Sequence, residues 1–342
     1  MVGGDWDLNT APFEDLDVYR SLEARYVYGV PWEETSYFGR LTAQLDSGKN
    51  PCGVHTSHDI EEHLAGIDRL FNDVRQGGYR TQGDLQGQSR SLCSLDEITV
   101  RIGRSGDFLF EDGRHRLAIA KILRLPRIPV MVTWRHKEWY QFRLQILHYA
   151  RRHGGKLYQP VTHPDLSDIP AAHGDERFRL IKSNMPLKGG TLLGIGANWG
   201  YFCHRFEEEG FRCYAVEKGS EDFYFLNRLR LAEGRKFAAV HADLFDFWEM
   251  SDFDVVLALN VFHHFLKAED TYQKLIQWLR RINARVYFFE PHLPDEPQMK
   301  GAFVNFTPEE FARFVAQHAR LSHWECIGYG EERRPIYRLT RE

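Results

Sequence analysis

The apolar positions of this chain change period twice along its length. Over residues 1–93 they recur at helical spacing, and helices are expected at about 14–28 and 58–75, where Ile60, Leu64, Ile67, Leu70, Phe71 and Val74 share one face. The polar, glycine-rich run from Gln76 to Gln88 reads as a loop. From residue 97 the spacing shortens: Ile98, Val100 and Ile102 alternate as a strand, Arg104-Ser-Gly-Asp107 makes a turn, and Phe108-Leu-Phe110 returns as a hairpin partner. A helix at about 114–124 and a strand over 128–133 complete that unit.

Beyond a segment punctuated by Pro160, Pro164, Pro170 and Pro186, the pattern changes again. Continuous apolar runs at Thr191–Ile195, Cys213–Glu217, Phe237–His241, Phe253–Asn260 and Arg285–Glu290 alternate with helical stretches. Unbroken rather than alternating runs mark strands covered on both faces, as in a parallel sheet with helices on either side. The tail differs, with a helix at about 308–319 followed by Leu321–Gly328 and Pro335–Leu339 as an antiparallel hairpin. The expected organisation is a helical extension over 1–93 packed on the next domain, a smaller α+β domain over 94–150, a linker over 151–174 and an α/β domain over 175–342.

Composition narrows the class. Of 342 residues 43% are hydrophobic and 27% charged, which fits a globular chain and excludes disorder or a fibre. No apolar run reaches the ~18–20 residues of a membrane span, and the first residues carry no basic-then-apolar leader, so a soluble cytoplasmic protein is expected. The five cysteines are scattered with no Cys-x-x-Cys pair, so no metal site and no disulfide framework are expected. The net charge of −4 argues against a general polyanion binder, but it conceals −9 over residues 1–100, +9 over 101–156 and −4 over the rest.

The chemistry of the last third sits at strand ends. Thr191-Leu-Leu-Gly-Ile-Gly-Ala-Asn-Trp-Gly200 leaves a strand and opens a helix at about 201–209, with glycines where backbone must turn sharply and approach a ligand. The next strand ends in Glu217, placed for the ribose hydroxyls of an adenosine-type cofactor. The third leads into Asp243, which suits an adenine amino group, and the fourth ends in Asn260-Val-Phe-His-His264 at the edge where open α/β sheets bind ligands. Glu290 and His292 end the fifth strand at the same edge.

These residues resemble the class I S-adenosylmethionine-dependent methyltransferases over about 175–342. The resemblance implies a Rossmann-like seven-stranded sheet, parallel with an antiparallel end hairpin, and S-adenosyl-L-methionine as cofactor. It implies that Gly194, Gly196, Asn198 and Gly200 surround the methionine part, that Glu217 holds the ribose, that Asp243 with Leu244 frames the adenine, and that Asn260 adjoins the cofactor. The family usually has an acidic residue where this chain has Gly194, so part of the network at the cofactor's amino-acid end is missing. His263 and His264 stand where the methyl acceptor approaches and are the candidate catalytic bases, histidine being the side chain that titrates nearest neutrality. The absence of Asn-Pro-Pro-Tyr, Asp-Pro-Pro-Tyr and Pro-Cys signatures favours O- or N-methylation of a small molecule or sugar, phosphorylated or not.

The basic block centres on Glu111-Asp-Gly-Arg-His-Arg116, with Asp112 as the expected N-cap of the following helix. Arg114, His115 and Arg116 then lie in a first turn where the macrodipole disfavours cations, an arrangement that suits a bound anion. With the flanking strands, Gly113-Arg-His-Arg116 resembles the ParB/sulfiredoxin-like fold over about 95–136, whose corresponding motif contacts nucleotide phosphates. Phosphate-binding roles for Gly113, Arg114, His115 and Arg116, and a nucleotide in this domain, follow from that resemblance. Arg114 replaces sulfiredoxin's reactive cysteine, and no DNA-reading module follows, so neither that activity nor a nucleic-acid partner is expected. Some relatives are small-molecule kinases, which makes Glu111 or Asp112 a candidate base or metal ligand. The readings carried forward are a methyltransferase with a phosphate-binding domain, a bifunctional kinase-methyltransferase, and a non-catalytic cofactor-binding sensor.

Overall fold

The structure, a computed structural model, describes residues 1–49, 55–81, 84, 97–247, 250–330 and 333–341. Residues 82–83 and 85–88 of the loop expected over 76–88, together with Cys52 and Cys93, lie outside these residues. The chain divides into two compact units, Met1–Phe142 and Arg143–Glu342.

The first unit begins with the helices Asp17–Tyr28, Ser36–Asp46 and Ser57–Gly77. The longest starts in a capping box, Thr56 accepting from the Asp59 N–H while the Asp59 carboxylate accepts from the Thr56 N–H, which satisfies two orphan donors of the first turn. Its Ile60, Leu64, Ile67, Phe71 and Val74 are buried in a core with Val18, Leu22, Tyr37 and Leu41, and Ala118 and Ile119 from the helix Arg114–Ile122 join the same core. Long-range packing therefore merges the helical segment with the β-hairpin, helix, strand unit.

That unit's sheet has the order β2-β1-β3: β1 (Thr99–Ile102) runs antiparallel to β2 (Phe108–Asp112) and parallel to β3 (Met131–Arg135). β3 starts later than the apolar pattern suggests because Pro129 lacks an N–H, and the ladder opens where the Met131 N–H donates to the Ile98 carbonyl at 2.9 Å. The helix cap also differs from expectation. Asp112 is the last residue of β2, and Gly113 takes the N-cap position at φ 90°, where a Cβ would lie 2.8 Å from the Ile98 Cα. Asp112 instead accepts from the Gly113 N–H at 2.8 Å.

The second unit holds the seven-stranded sheet expected from the sequence, in the order β6-β5-β4-β7-β8-β10-β9. β4 (Gly190–Ile195), β5 (Phe211–Glu217), β6 (Ala238–His241), β7 (Asp252–Leu259) and β8 (Asn283–Glu290) are parallel. β10 (Pro335–Thr340) is antiparallel to β8 and to β9 (His323–Tyr329). Apolar clusters cover both faces, one centred on Leu193, Val256, Tyr287 and Phe311, the other on Leu192, Val255, Phe206 and Phe288. β4 pairs with β5 on one side and β7 on the other, so the strand order reverses at its carboxyl end, and a crevice opens there. Among the described residues no helix is long and apolar enough to cross a membrane.

Candidate functional site

The glycine turn lies in that crevice. Gly196 has φ 59°, Asn198 φ 50° and Gly200 φ 84°, three left-handed residues in five that coil the chain from β4 into the helix Tyr201–Glu208. Side chains are excluded at two of them: a Cβ on Gly196 would lie 3.0 Å from Val261 Cγ2, and one on Gly200 would lie 3.2 Å from Leu226 Cγ. Gly194, Gly196, Tyr158, Gln159, Phe202 and Cys203 line a small cleft beneath the turn.

Glu217 ties this turn to the end of β5. Its Oε2 accepts from the Asn198 N–H at 2.8 Å and its Oε1 from the Gly219 N–H at 2.7 Å. Burial raises its pKa, with the two N–H groups opposing and the Asp222 charge adding to the rise. Asp222 accepts from Trp199 Nε1 at 2.9 Å and Asn198 Nδ2 at 3.2 Å, so a second carboxylate fixes the same turn. Asp243 starts a short 3-10 turn by accepting from the Phe245 N–H at 3.0 Å, and Lys218 Nζ lies 2.7 Å from it. Burial resists its charge, but Lys218 and that N–H outweigh the burial and hold its pKa below the usual range. The Leu244 side chain is buried in the core.

The end of β7 is held by two groups that the sequence pattern does not mark. Asn260, at φ 54°, donates its N–H to the Glu290 carbonyl at 2.9 Å and its Nδ2–H to the Tyr158 hydroxyl at 3.3 Å. Glu290 makes a buried ion pair with Arg177 at 2.9 Å, each side chain 3% exposed. The Arg177 guanidinium lies over the rings of Tyr158 and Phe202, at 5.6 and 5.8 Å from their centroids. Tyr158 and Arg177 come from the segment preceding β4, where prolines and polar residues give no periodic signal.

Two histidines at this edge have defined tautomers. The Gln298 amide donates Nε2–H to Glu296 at 2.5 Å, and Arg334 in turn fixes Glu296 at 2.7 and 3.0 Å. The Gln298 carbonyl oxygen therefore faces His263, whose Nε2–H donates to it at 3.1 Å, leaving Nδ1 as a lone-pair acceptor buried without a partner. Asn305 donates to the Pro294 carbonyl at 2.9 Å and accepts from His292 Nε2–H at 2.9 Å, so His292 Nδ1 is bare in the same way. The rings of His263 and His292 are 5.9 Å apart, and the exposed His264 packs on His263 at 4.0 Å.

Burial, with the neighbouring His264 and His292, pushes the His263 pKa from 6.5 down to about 3. Between those values the folded ring stays neutral while the unfolded one binds a proton, so the stability this ring contributes is lost as the pH is lowered through that window. His263→Gln is therefore expected to cost less stability at pH 4 than at pH 7 in denaturant titrations. A cost independent of pH would contradict a buried neutral ring.

In the first unit the Gly113–Arg116 motif separates into different surroundings. Arg114 is exposed, whereas Arg116 pairs with Glu97 at 3.4 Å and lies 5.6 Å from the Tyr79 ring centroid. His115 is turned toward Tyr37, whose hydroxyl bridges His63 Nε2 at 2.9 Å and His115 Nε2 at 3.0 Å. Burial, then the His63 and Arg114 charges, lower the His115 pKa to about 4. Glu111 is engaged by Thr133 and by Arg101, whose bonds hold it below the ordinary carboxylate range. Among the described residues no group of three His, Cys, Asp or Glu is placed to hold a metal.

No protein-family model matches the chain, and no curated protein matches it. Several solved structures align with part of the chain. The bifunctional kinase-methyltransferase WbdD aligns at 20% identity and a TM-score of 0.46, covering 57% of this chain and 46% of that one. The PH0226 protein from Pyrococcus horikoshii OT3 aligns at 13% identity and a TM-score of 0.40, covering 57% of this chain and 99% of that one. Magnesium protoporphyrin IX methyltransferase (ChlM) from Synechocystis PCC 6803, solved with bound SAM, aligns at 14% identity and a TM-score of 0.39, covering 49% of this chain and 77% of that one. The chain spans less than half the length of WbdD.

Proposed function

We propose that the unit Arg143–Glu342 is an S-adenosylmethionine-dependent methyltransferase acting on an oxygen or nitrogen of a small-molecule or sugar acceptor. The observation that carries this reading is the coupling of the glycine turn to Glu217: one carboxylate gathers the turn and the end of β5 at the point where the strand order reverses. The residues present fit the cofactor, because the left-handed glycines turn the chain sharply after β4 and the exposed backbone at Gly196 borders a cleft.

In this reading the backbone of Gly194 to Gly200 receives the amino-acid end, Glu217 the ribose hydroxyls, and Asp243 with Leu244 the adenine, while Asn260 fixes the edge of the pocket. When bound, the cofactor supplies an electrophilic methyl group on a sulfonium. The protein's contribution is to align the nucleophile and accept its proton. Of the two candidate bases the exposed His264 is the one open to an acceptor, while His263, buried with its pKa pushed down to about 3, packs against it.

The first unit is assigned the binding of a phosphate-bearing ligand, a nucleotide or a phosphorylated acceptor, at the start of the helix Arg114–Ile122. The exposed Arg114 at a helix start that no N-cap side chain closes supports that assignment. Glu111, already engaged by Thr133 and Arg101, gives no support to a kinase base there. Isothermal titration of the full chain tests both halves. S-adenosylmethionine should bind saturably with a 1:1 stoichiometry, and Arg114→Ala should leave that binding intact while weakening nucleotide binding. No heat with S-adenosylmethionine at high micromolar concentration contradicts the methyltransferase reading. Equal losses for both ligands contradict the division of labour.

A further inference from the structure

The cleft beneath the glycine turn has no carboxylate at Gly194, and a Cβ there would already lie 3.3 Å from Cys203 Sγ. What the cleft has instead is an unused acceptor. Gln159 lines it, is 8% exposed, and carries a buried Oε1 with no hydrogen-bond partner. A second lies one hydrogen bond from the cleft: Asn260 donates Nδ2–H to Tyr158, a lining residue, and its Oδ1 is also buried without a partner. The cation beside them, Arg177, is neutralised by Glu290 at 2.9 Å. Buried carbonyl oxygens left without donors are costly, and two beside one cleft call for a ligand that brings N–H groups.

We propose that Gln159, assisted by Asn260, takes the α-ammonium of the cofactor's amino-acid end, in place of the acidic side chain that Gly194 lacks. Two neutral acceptors on the ammonium complement the backbone N–H groups of the turn, and the site recognises a free amino acid rather than adenosine alone. This inference rests on the methyltransferase reading and refines it.

The test compares two thioethers that differ only in the amino-acid end, S-adenosylhomocysteine and 5′-methylthioadenosine, titrated into the full chain. Gln159→Leu should weaken S-adenosylhomocysteine about tenfold or more, the effect of losing a hydrogen bond to a charged group, and leave 5′-methylthioadenosine within about twofold. Gln159→Glu should keep S-adenosylhomocysteine binding at or above the wild-type level. Equal weakening of both thioethers by Gln159→Leu, or no weakening of either, overturns the proposal even where the wild type binds. A wild type that binds neither overturns the methyltransferase reading, and the proposal with it.

Discussion

Replacing Arg177 by methionine is expected to lower the unfolding free energy of the second unit by about 3–5 kcal/mol, the cost of leaving a buried carboxylate unpaired. Arg177 and Glu290 are each 3% exposed and 2.9 Å apart. Gly330 closes over the pair so tightly that a Cβ there would lie 2.7 Å from Glu290 Oε1, which leaves little room for water to replace the guanidinium. The double variant Arg177→Met/Glu290→Leu should recover most of the loss, because apolar side chains of similar volume carry no desolvation penalty. Urea titrations of the three proteins check this, and equal stabilities for the single and double variants would contradict it. Because Arg177 also lies over the rings of Tyr158 and Phe202, the single variant should loosen the cleft those rings line.

Glu217→Ala is expected to weaken S-adenosylmethionine by at least about tenfold, since a hydrogen bond to a charged group contributes roughly 1.5–3 kcal/mol. The effect has two sources. The ribose loses its acceptor, and the Asn198 and Gly219 N–H groups lose the carboxylate that fixes the turn. Glu217→Gln separates them: a single amide oxygen satisfies only one of the two N–H groups, so binding should fall between wild type and alanine. Calorimetric titration provides the readout. Alanine binding equal to wild type would remove Glu217 from the site.

Much of this candidate site is local chemistry that the sequence pattern marks. The glycines of the turn, the carboxylates Glu217 and Asp243 and the histidines at 263 and 264 all sit at the ends of runs whose periodicity announces strands. Gln159 and Tyr158 were not legible, because a proline-rich stretch has no period and their place in the cleft is set by tertiary packing. The Gln298 and Asn305 amides were hidden for a related reason: they act by fixing histidine tautomers, and nothing in spacing reports a hydrogen bond between residues 35 apart, as between His263 and Gln298. Gly113 took the cap from Asp112 because contact with Ile98, a residue on another segment, leaves no room for a Cβ. The merging of the first helices with the Arg114–Ile122 helix likewise depends on contacts between distant segments.

The central claim is that the glycine turn and Glu217 together hold an adenosyl amino acid. A crystal structure of the full chain grown with S-adenosylhomocysteine tests it most directly. The account predicts the amino-acid end against Gly194 and Gly196 with its ammonium at Gln159, both ribose hydroxyls on Glu217, and the adenine beside Asp243. A ligand bound elsewhere, or a complex in which Glu217 contacts no part of it, would contradict the account.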